Sequence, residues 1–433
     1  MAELLALVRI ESLDATIATY CGRRIAAREF IADAAMFAAE LPDVPNIVNL
    51  CENRYHFALT WAAACLRSQL TLLPPSSAPG VLSELADRYP RQYMCTDAIV
   101  ATFLANRAPE SASALPEKWW IPADRVVALT FTSGSTGMPQ AHPKRWGTLV
   151  RNAQLACEEI LGGSGSHLVA TVPAQHVYGL ETSLISALVA GCPVYDGKPF
   201  FPQDVRDALA AVPQPRTLVT TPTHLRVLLE ADVKLPSLNR IVSATAPLSS
   251  DIAERCEHAW STQVYEIYGC TEAGVMARRR TTNGTLWETF TGGQIVRTEH
   301  GPEYRAPQLP DPVPLQDVIE ASSPTQFELR GRSSDMVKVA GKRTSLQEIT
   351  RHLLAVPGVQ DAAVFVPAED ARPVAFVVAP GQSPKRVMAA LAGRLEPVFI
   401  PRPIVLVERL PRNEVGKLTR EALLTLWSSY RKS

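Results

Sequence analysis

Six short apolar runs constrain this chain more than any other feature. They read RVVALTFT (125–132), HLVATVP (167–173), CPVYD (192–196), RTLVTTP (216–222), RIVSATA (240–246) and QVYEIYG (263–269). β-Branched and aromatic residues enrich them, as strands require. Helical periodicity fills most of the intervals between them. Strands that alternate with helices can all run the same way, so the pattern predicts an α/β protein built on parallel-rich sheets. Several runs end in loops carrying Ser, Thr, His, Gly or Glu. Open α/β sheets bind ligands beyond the carboxyl ends of their strands. The chemistry is therefore expected where TFTSGSTG, TVPAQHVYG, SATAPL and IYGCTE meet.

The flanking regions read differently. Residues 24–70 mix helical patterns with the short strand NIVNL, and RYHFALTWAAACLRSQL has apolar spacing that predicts a buried helix. TLLPP is a brief strand ended by its prolines. After about residue 280, RRRTTNGTLWETFTGGQIVRTEHGPEYRA turns at Asn-Gly and Gly-Gly, which predicts short antiparallel strands in a small barrel-like β part. FELRGRSSDMVKVAGKR places a polar break between two strands. Helix, turn, strand, strand and helix patterns follow, enough for a small α+β domain. The expected division is a large N-terminal domain, 1–332, and a C-terminal domain, 333–433.

Composition narrows the function classes. The 43 basic residues equal the 43 acidic ones, so no global field draws the chain to nucleic acid. No run approaches the ~18–20 apolar residues of a membrane span. The N-terminus makes a poor signal peptide because Arg9 and acidic residues interrupt it. The eight cysteines have neither CxxC pairs nor zinc spacing, so free thiols in a cytoplasmic protein are expected.

TFTSGSTGMPQ (130–140) is small, hydroxylated and glycine-rich. Thr132, Ser133, Ser135 and Thr136 offer hydroxyls, and Gly134 and Gly137 let the backbone approach an anion. A Walker A loop would continue with Lys; here Met138, Pro139 and Gln140 follow. Alone, such a stretch is equally a surface turn.

Its company decides the reading. TSGSTGMP resembles the phosphate loop of the adenylate-forming superfamily, which includes acyl- and aryl-CoA ligases, peptide-synthetase adenylation domains and luciferase. Five further segments resemble that family in order: TVPAQHVYG, SATAPL, YGCTE, GRSSDMVKVAGKR and LPRNEVGKLTR. The resemblance spans most of the chain.

It implies ATP-dependent activation of a carboxylic acid, followed by transfer to a thiol of coenzyme A or of a carrier protein's phosphopantetheine. Lys417 is implied to bridge the acid carboxylate and the α-phosphate. Glu272 is the implied Mg²⁺ partner, Thr271 a donor to the α-phosphate, and Tyr268 with Gly269 a face for adenine. Asp317 and Arg332 are implied at the ribose and phosphates, although LQD stands where the family writes Thr-Gly-Asp. His176 is implied beside the acid pocket, where it can move with substrate, and Val177, Tyr178, Gly179, Ala244, Thr245, Ala246 and Cys270 are implied to line that pocket. A hinge at Ser333, Ser334 and Asp335 would swing the C-terminal domain and bring Lys338 to a thiol channel. Cys270 is an improbable nucleophile, since no His–Asp pair is evident beside it.

Four departures stand out. Gln140 and Ala141 replace the loop's Lys-Gly, with Lys144 four residues on. Ala244 and Thr245 replace two glycines, which narrows one pocket wall and favours a flat aromatic or short acid. Ser334 stands at the hinge. The N-terminal portion is compressed. A second reading follows from these changes: a nucleotide-binding member with weak or no ligase activity. Glu272 and Lys417 argue against it.

Overall fold

The structure is a computed structural model. It describes residues 3–9, 12–107, 120–132, 140–332, 336–339, 342–368, 371–392, 394–412 and 418–432. At Thr132, Arg332, Met336, Lys338, Val339, Lys342, Arg343 and Lys432 it describes the backbone alone.

The alternating runs form two sheets. One places Gln92–Cys95, Asn46–Asn49, Leu70–Leu73 and Val126–Thr132 side by side and parallel, with Gln140–Arg145 antiparallel at the edge. The other has eleven strands. Its parallel centre runs Gln263–Cys270, Arg240–Ser243, Arg216–Thr220, His167–Ala170, Val194–Tyr195 and Thr16–Tyr20. Parallel pairing puts the carboxyl ends of these strands on one edge, which is where the singled-out loops emerge.

Helix Arg54–Leu66 fulfils the buried-helix expectation, with twelve of its thirteen residues buried. Asn53 starts it by accepting hydrogen bonds from the Tyr55 and His56 N–H groups at 2.9 and 3.2 Å. A helix apolar on all sides belongs in the middle of a core.

The region after 280 is antiparallel as read. Gly274–Arg280, Trp287–Thr289, Gln326–Arg332 and Asp317–Ser323 extend the large sheet, and Gln294–Thr298, Gly301–Arg305 and Val313–Pro314 form a separate three-stranded one. Further on, Asp361–Phe365, Val374–Val378 and Ile404–Leu406 make another small sheet. Alternate residues of Val374–Val378 serve different cores: Ala375 and Val377 pack with Ile349 and Leu353, whereas Val374, Phe376 and Val378 pack with Leu410 and Leu423. A strand covered on both faces reads as a continuous apolar run. No helix among the described residues is long and apolar enough to cross a membrane.

Candidate active site

Tyr268 lies two residues before the end of the strand Gln263–Cys270, and Asp317 opens the strand Asp317–Ser323. The Tyr268 hydroxyl donates to Asp317 Oδ2 at 2.6 Å. Its ring is set by Trp287 and Phe327, with centroids 5.9 and 5.7 Å away. Asp317 stands opposite Arg332 in the strand register. Three residues singled out from the sequence thus share one corner. Gly269 sits at a register shift beside it, and a Cβ there would strike the Gly274 carbonyl.

The next residues, Thr271 and Glu272, leave the same strand end. The Glu272 side chain is 50% exposed, with one oxygen 3.6 Å from His142 Nδ1. Lys144 does not serve as an exposed loop cation. It lies opposite Ala128, four residues below the hairpin position of Gln140 and therefore ~13 Å along the strand. Its buried Nζ donates to the Thr271 carbonyl.

More buried side chains grip the same loop. Asn152 Nδ2 donates to the Ala273 carbonyl at 2.9 Å and to Glu181 Oε1 at 3.1 Å. The Val275 N–H donates to Glu181 Oε2 at 2.9 Å, and Gln308 Nε2 donates to Asn152 Oδ1 at 3.0 Å. Glu181 belongs to a π-helical turn, Leu180–Ile185, a form often found at functional sites. Burial lowers the Lys144 pKa, and Glu181, Cys270 and Glu272 oppose that shift. Burial raises the Glu181 pKa, and Lys144 is its leading opponent. Sequence reading missed Glu181, Asn152 and His142. The available signal was a charged or amide side chain in segments otherwise patterned for a core.

The proposed pocket residues emerge from neighbouring strand ends. Ala244 is buried directly after Arg240–Ser243. Thr245 has φ +78°, a left-handed conformation that a β-branched residue rarely adopts. The Tyr178 hydroxyl donates to the carbonyls of Thr220 and Val242 at 3.1 and 2.9 Å, so the tyrosine ties the 177–179 turn to two strands. His176 opens that turn, its carbonyl accepting the Leu180 N–H at 2.7 Å. Burial pushes the Cys270 thiol up to about 12, which keeps it protonated and unsuited to nucleophilic attack.

Ser133, Gly134, Ser135, Thr136, Gly137, Ser333, Ser334, Asp335 and Lys417 lie outside the described residues. The flanks of Lys417 are described. Arg412 and Leu418 pair as an antiparallel bridge. Arg412 forks onto Asp361, Nε to Oδ2 at 2.9 Å and Nη2 to Oδ1 at 2.8 Å. Arg226, on helix Pro222–Glu230 of the large sheet region, places Nη1 3.7 Å from the same carboxylate.

Among the described residues no three His, Cys, Asp or Glu side chains converge as a metal cage. A single half-exposed carboxylate such as Glu272 matches what magnesium takes when phosphate oxygens and water supply the other positions.

Comparison with known proteins agrees with this layout. Residues 29–299, more than half the chain, match the model of the AMP-binding enzyme family, and residues 348–417 match the AMP-binding enzyme C-terminal domain. A 4-coumarate–CoA ligase of Rhodobacter capsulatus is 28% identical over 286 residues, which is 63% of this chain and 69% of that protein. One from Halorhodospira halophila is also 28% identical, over 68% of this chain and 76% of its own. Among solved structures, the o-succinylbenzoate CoA synthetase of Bacillus subtilis in complex with its acyl-adenylate intermediate has a TM-score of 0.81 at 19% identity, covering 95% of this chain and 96% of that one. With both family models matched in order and the strand-end loops gathered on one edge, the chain belongs to the AMP-binding enzyme family, the adenylate-forming superfamily of acid–thiol ligases.

Proposed function

We propose that this protein activates an aromatic, hydroxybenzoate-like or short carboxylic acid with ATP and passes it to the thiol of coenzyme A or of a carrier protein's phosphopantetheine. The observation that carries this reading is the convergence of Tyr268, Asp317 and Arg332 beside the Thr271–Glu272 loop at one strand edge. Tyr268 and Gly269 offer a face for adenine, Asp317 and Arg332 hold ribose and phosphate, and residues 132–137 cradle the outer phosphates. The acid carboxylate attacks the α-phosphorus, the bond to the bridging oxygen breaks, and pyrophosphate leaves. Two anions must meet, so cationic groups are needed where charge develops. Lys417 bridges the carboxylate and the α-phosphate, and Thr271 donates to the α-phosphate. Glu272 would hold magnesium, which when bound would supply positive charge to the phosphate oxygens.

Residues 333–433 form the domain that then rotates about Ser333, Ser334 and Asp335. Rotation withdraws Lys417 and brings Lys338 to the thiol's path. The thiol attacks the acyl carbon and AMP leaves. One cleft thereby serves two transition states. The Arg226–Asp361–Arg412 cluster, which joins the two regions next to Lys417 in sequence, supports an adenylation arrangement before rotation.

Thr245 and the buried Ala244 support a restricted pocket lined by His176, Val177, Tyr178, Gly179, Ala246 and Cys270. The two relatives named for 4-coumarate, an aromatic acid, support the aromatic class. Thr245→Gly removes both a side chain and a strained left-handed conformation, a strain on the order of 1–3 kcal/mol. The variant is expected to accept bulkier acids, seen as a rise in their kcat/KM relative to the native substrate, without loss of thermal stability.

Pyrophosphate release against a panel of aliphatic, aryl and amino acids, with coenzyme A and a holo carrier protein compared as acceptors, tests the proposal. Release with one acid class and thioester formation on one acceptor is the expected result. Silence across the whole panel by a protein that still binds ATP would overturn it in favour of a nucleotide-binding role.

A further inference from the structure

The Thr271–Val275 loop is held at nearly every residue by side chains that the proposed chemistry leaves unused. Lys144 takes the Thr271 carbonyl, His142 faces Glu272, Asn152 takes the Ala273 carbonyl, and Glu181 takes the Val275 N–H. Two of these come from a single strand, Gln140–Arg145, which leaves the phosphate loop directly. That one six-residue strand therefore supplies both contacts to the Thr271–Glu272 end of the loop.

Stability gives no reason for this arrangement. A buried lysine and a buried glutamate must both be desolvated, and an apolar pair of similar volume is generally as stable or more so. Long-range charge gives no reason either. Lys144 lies four residues along the strand from Gln140 with its ammonium on the Thr271 carbonyl, so it does not stand in for the lysine that Gln140 displaces. What the pair provides is geometry. A charge-assisted hydrogen bond fixes the peptide between Thr271 and Glu272, and Glu181 locks the far end of the same loop.

We propose that Lys144, with Glu181 holding the far end of the same loop, is a positioning residue that keeps Thr271 and Glu272 in the orientation required for magnesium-bound ATP. The inference rests on Glu272 being the metal-side carboxylate, as proposed above. Lys144 acts through the Thr271 peptide and touches no substrate. Its loss therefore falls on the metal-dependent part of ATP affinity and spares the KM for the acid.

The test is calorimetric titration of the full-length protein with ATP, once with Mg²⁺ and once in EDTA, for the wild type, Lys144→Met, Glu181→Gln and the double variant. Losing one charge-assisted hydrogen bond corresponds to roughly 10- to 100-fold. Lys144→Met is expected to weaken binding with Mg²⁺ by at least about 10-fold and to change binding in EDTA by less than about 2-fold. Glu181→Gln alone leaves a buried cation unbalanced and lowers the melting temperature. The double variant restores that temperature, because no charge remains buried, but stays weak for ATP with Mg²⁺. This variant decides the matter even if a single replacement fails to fold. A double variant that melts like the wild type and binds Mg²⁺ and ATP equally tightly overturns the proposal. An equal loss with Mg²⁺ and in EDTA also overturns it. A wild type that binds no ATP in either condition strikes instead at the ligase reading on which the proposal rests.

Discussion

Lys417→Ala is expected to reduce adenylation, measured as acid-dependent ATP–pyrophosphate exchange, by on the order of 10³-fold, while thioester formation from a supplied acyl-adenylate changes by less than roughly two-fold. The reason is electrostatic. A carboxylate and an α-phosphate approach one another only if a cation offsets their repulsion, and in a water-poor cleft that cation counts for far more than in bulk solvent. In the proposed second half-reaction the adenylate is already formed, and the proposed rotation has withdrawn the lysine. The flanking frame does not depend on the lysine itself: Arg412 is forked onto Asp361 and bridged to Leu418. A folded variant in which both half-reactions fell together would refute the rotation of residues 333–433.

The second large effect concerns a backbone position. Gly274→Ala is expected to destabilise the large domain by roughly 3–5 kcal/mol, seen as a lower urea midpoint, and to remove most ATP binding. Gly274 has φ +78°, where L-residues are strained. An added Cβ would also lie well under 3.0 Å from Glu181 Oε1 and Asn152 Nδ2. Neither group can step aside cheaply. Glu181 is buried and accepts from Asn152 and the Val275 N–H, so moving it leaves a buried backbone donor without its acceptor. An alanine variant with wild-type midpoint and ATP affinity would show that this network tolerates displacement.

Much of the fold was legible because its signals are short-range. The strands 126–132, 167–170, 216–220, 240–243 and 263–270 follow from β-branched runs, and the helix 54–66 from apolar spacing around its whole circumference. The turns at Asn-Gly and Gly-Gly announced the antiparallel region. Tyr268, Asp317, Glu272 and Thr271 were singled out from compact local patterns, and the structure bonds Tyr268 to Asp317.

Lys144 marks where that legibility ended. From the chain alone it was a possible replacement for the loop lysine, since only four residues separate it from Gln140. In a strand those four residues carry it ~13 Å from that hairpin position and turn it inward, to a carbonyl 127 residues away in sequence. Glu181 and Asn152 carried no motif at all. Side chains become a site by the partners that burial gives them, and a one-dimensional pattern does not record those partners.

By itself, then, the sequence determined the α/β alternation, the order of the loops and the family of chemistry, because periodicity and motif spacing are properties of neighbouring residues. Only the tertiary structure decided that Tyr268 bonds Asp317 across 49 residues and that Lys144 and Glu181 clamp the Thr271–Val275 loop. A buried charge must find its counter-charge and hydrogen bonds wherever the packed chain brings them, and that location is set by the packing of whole sheets and helices.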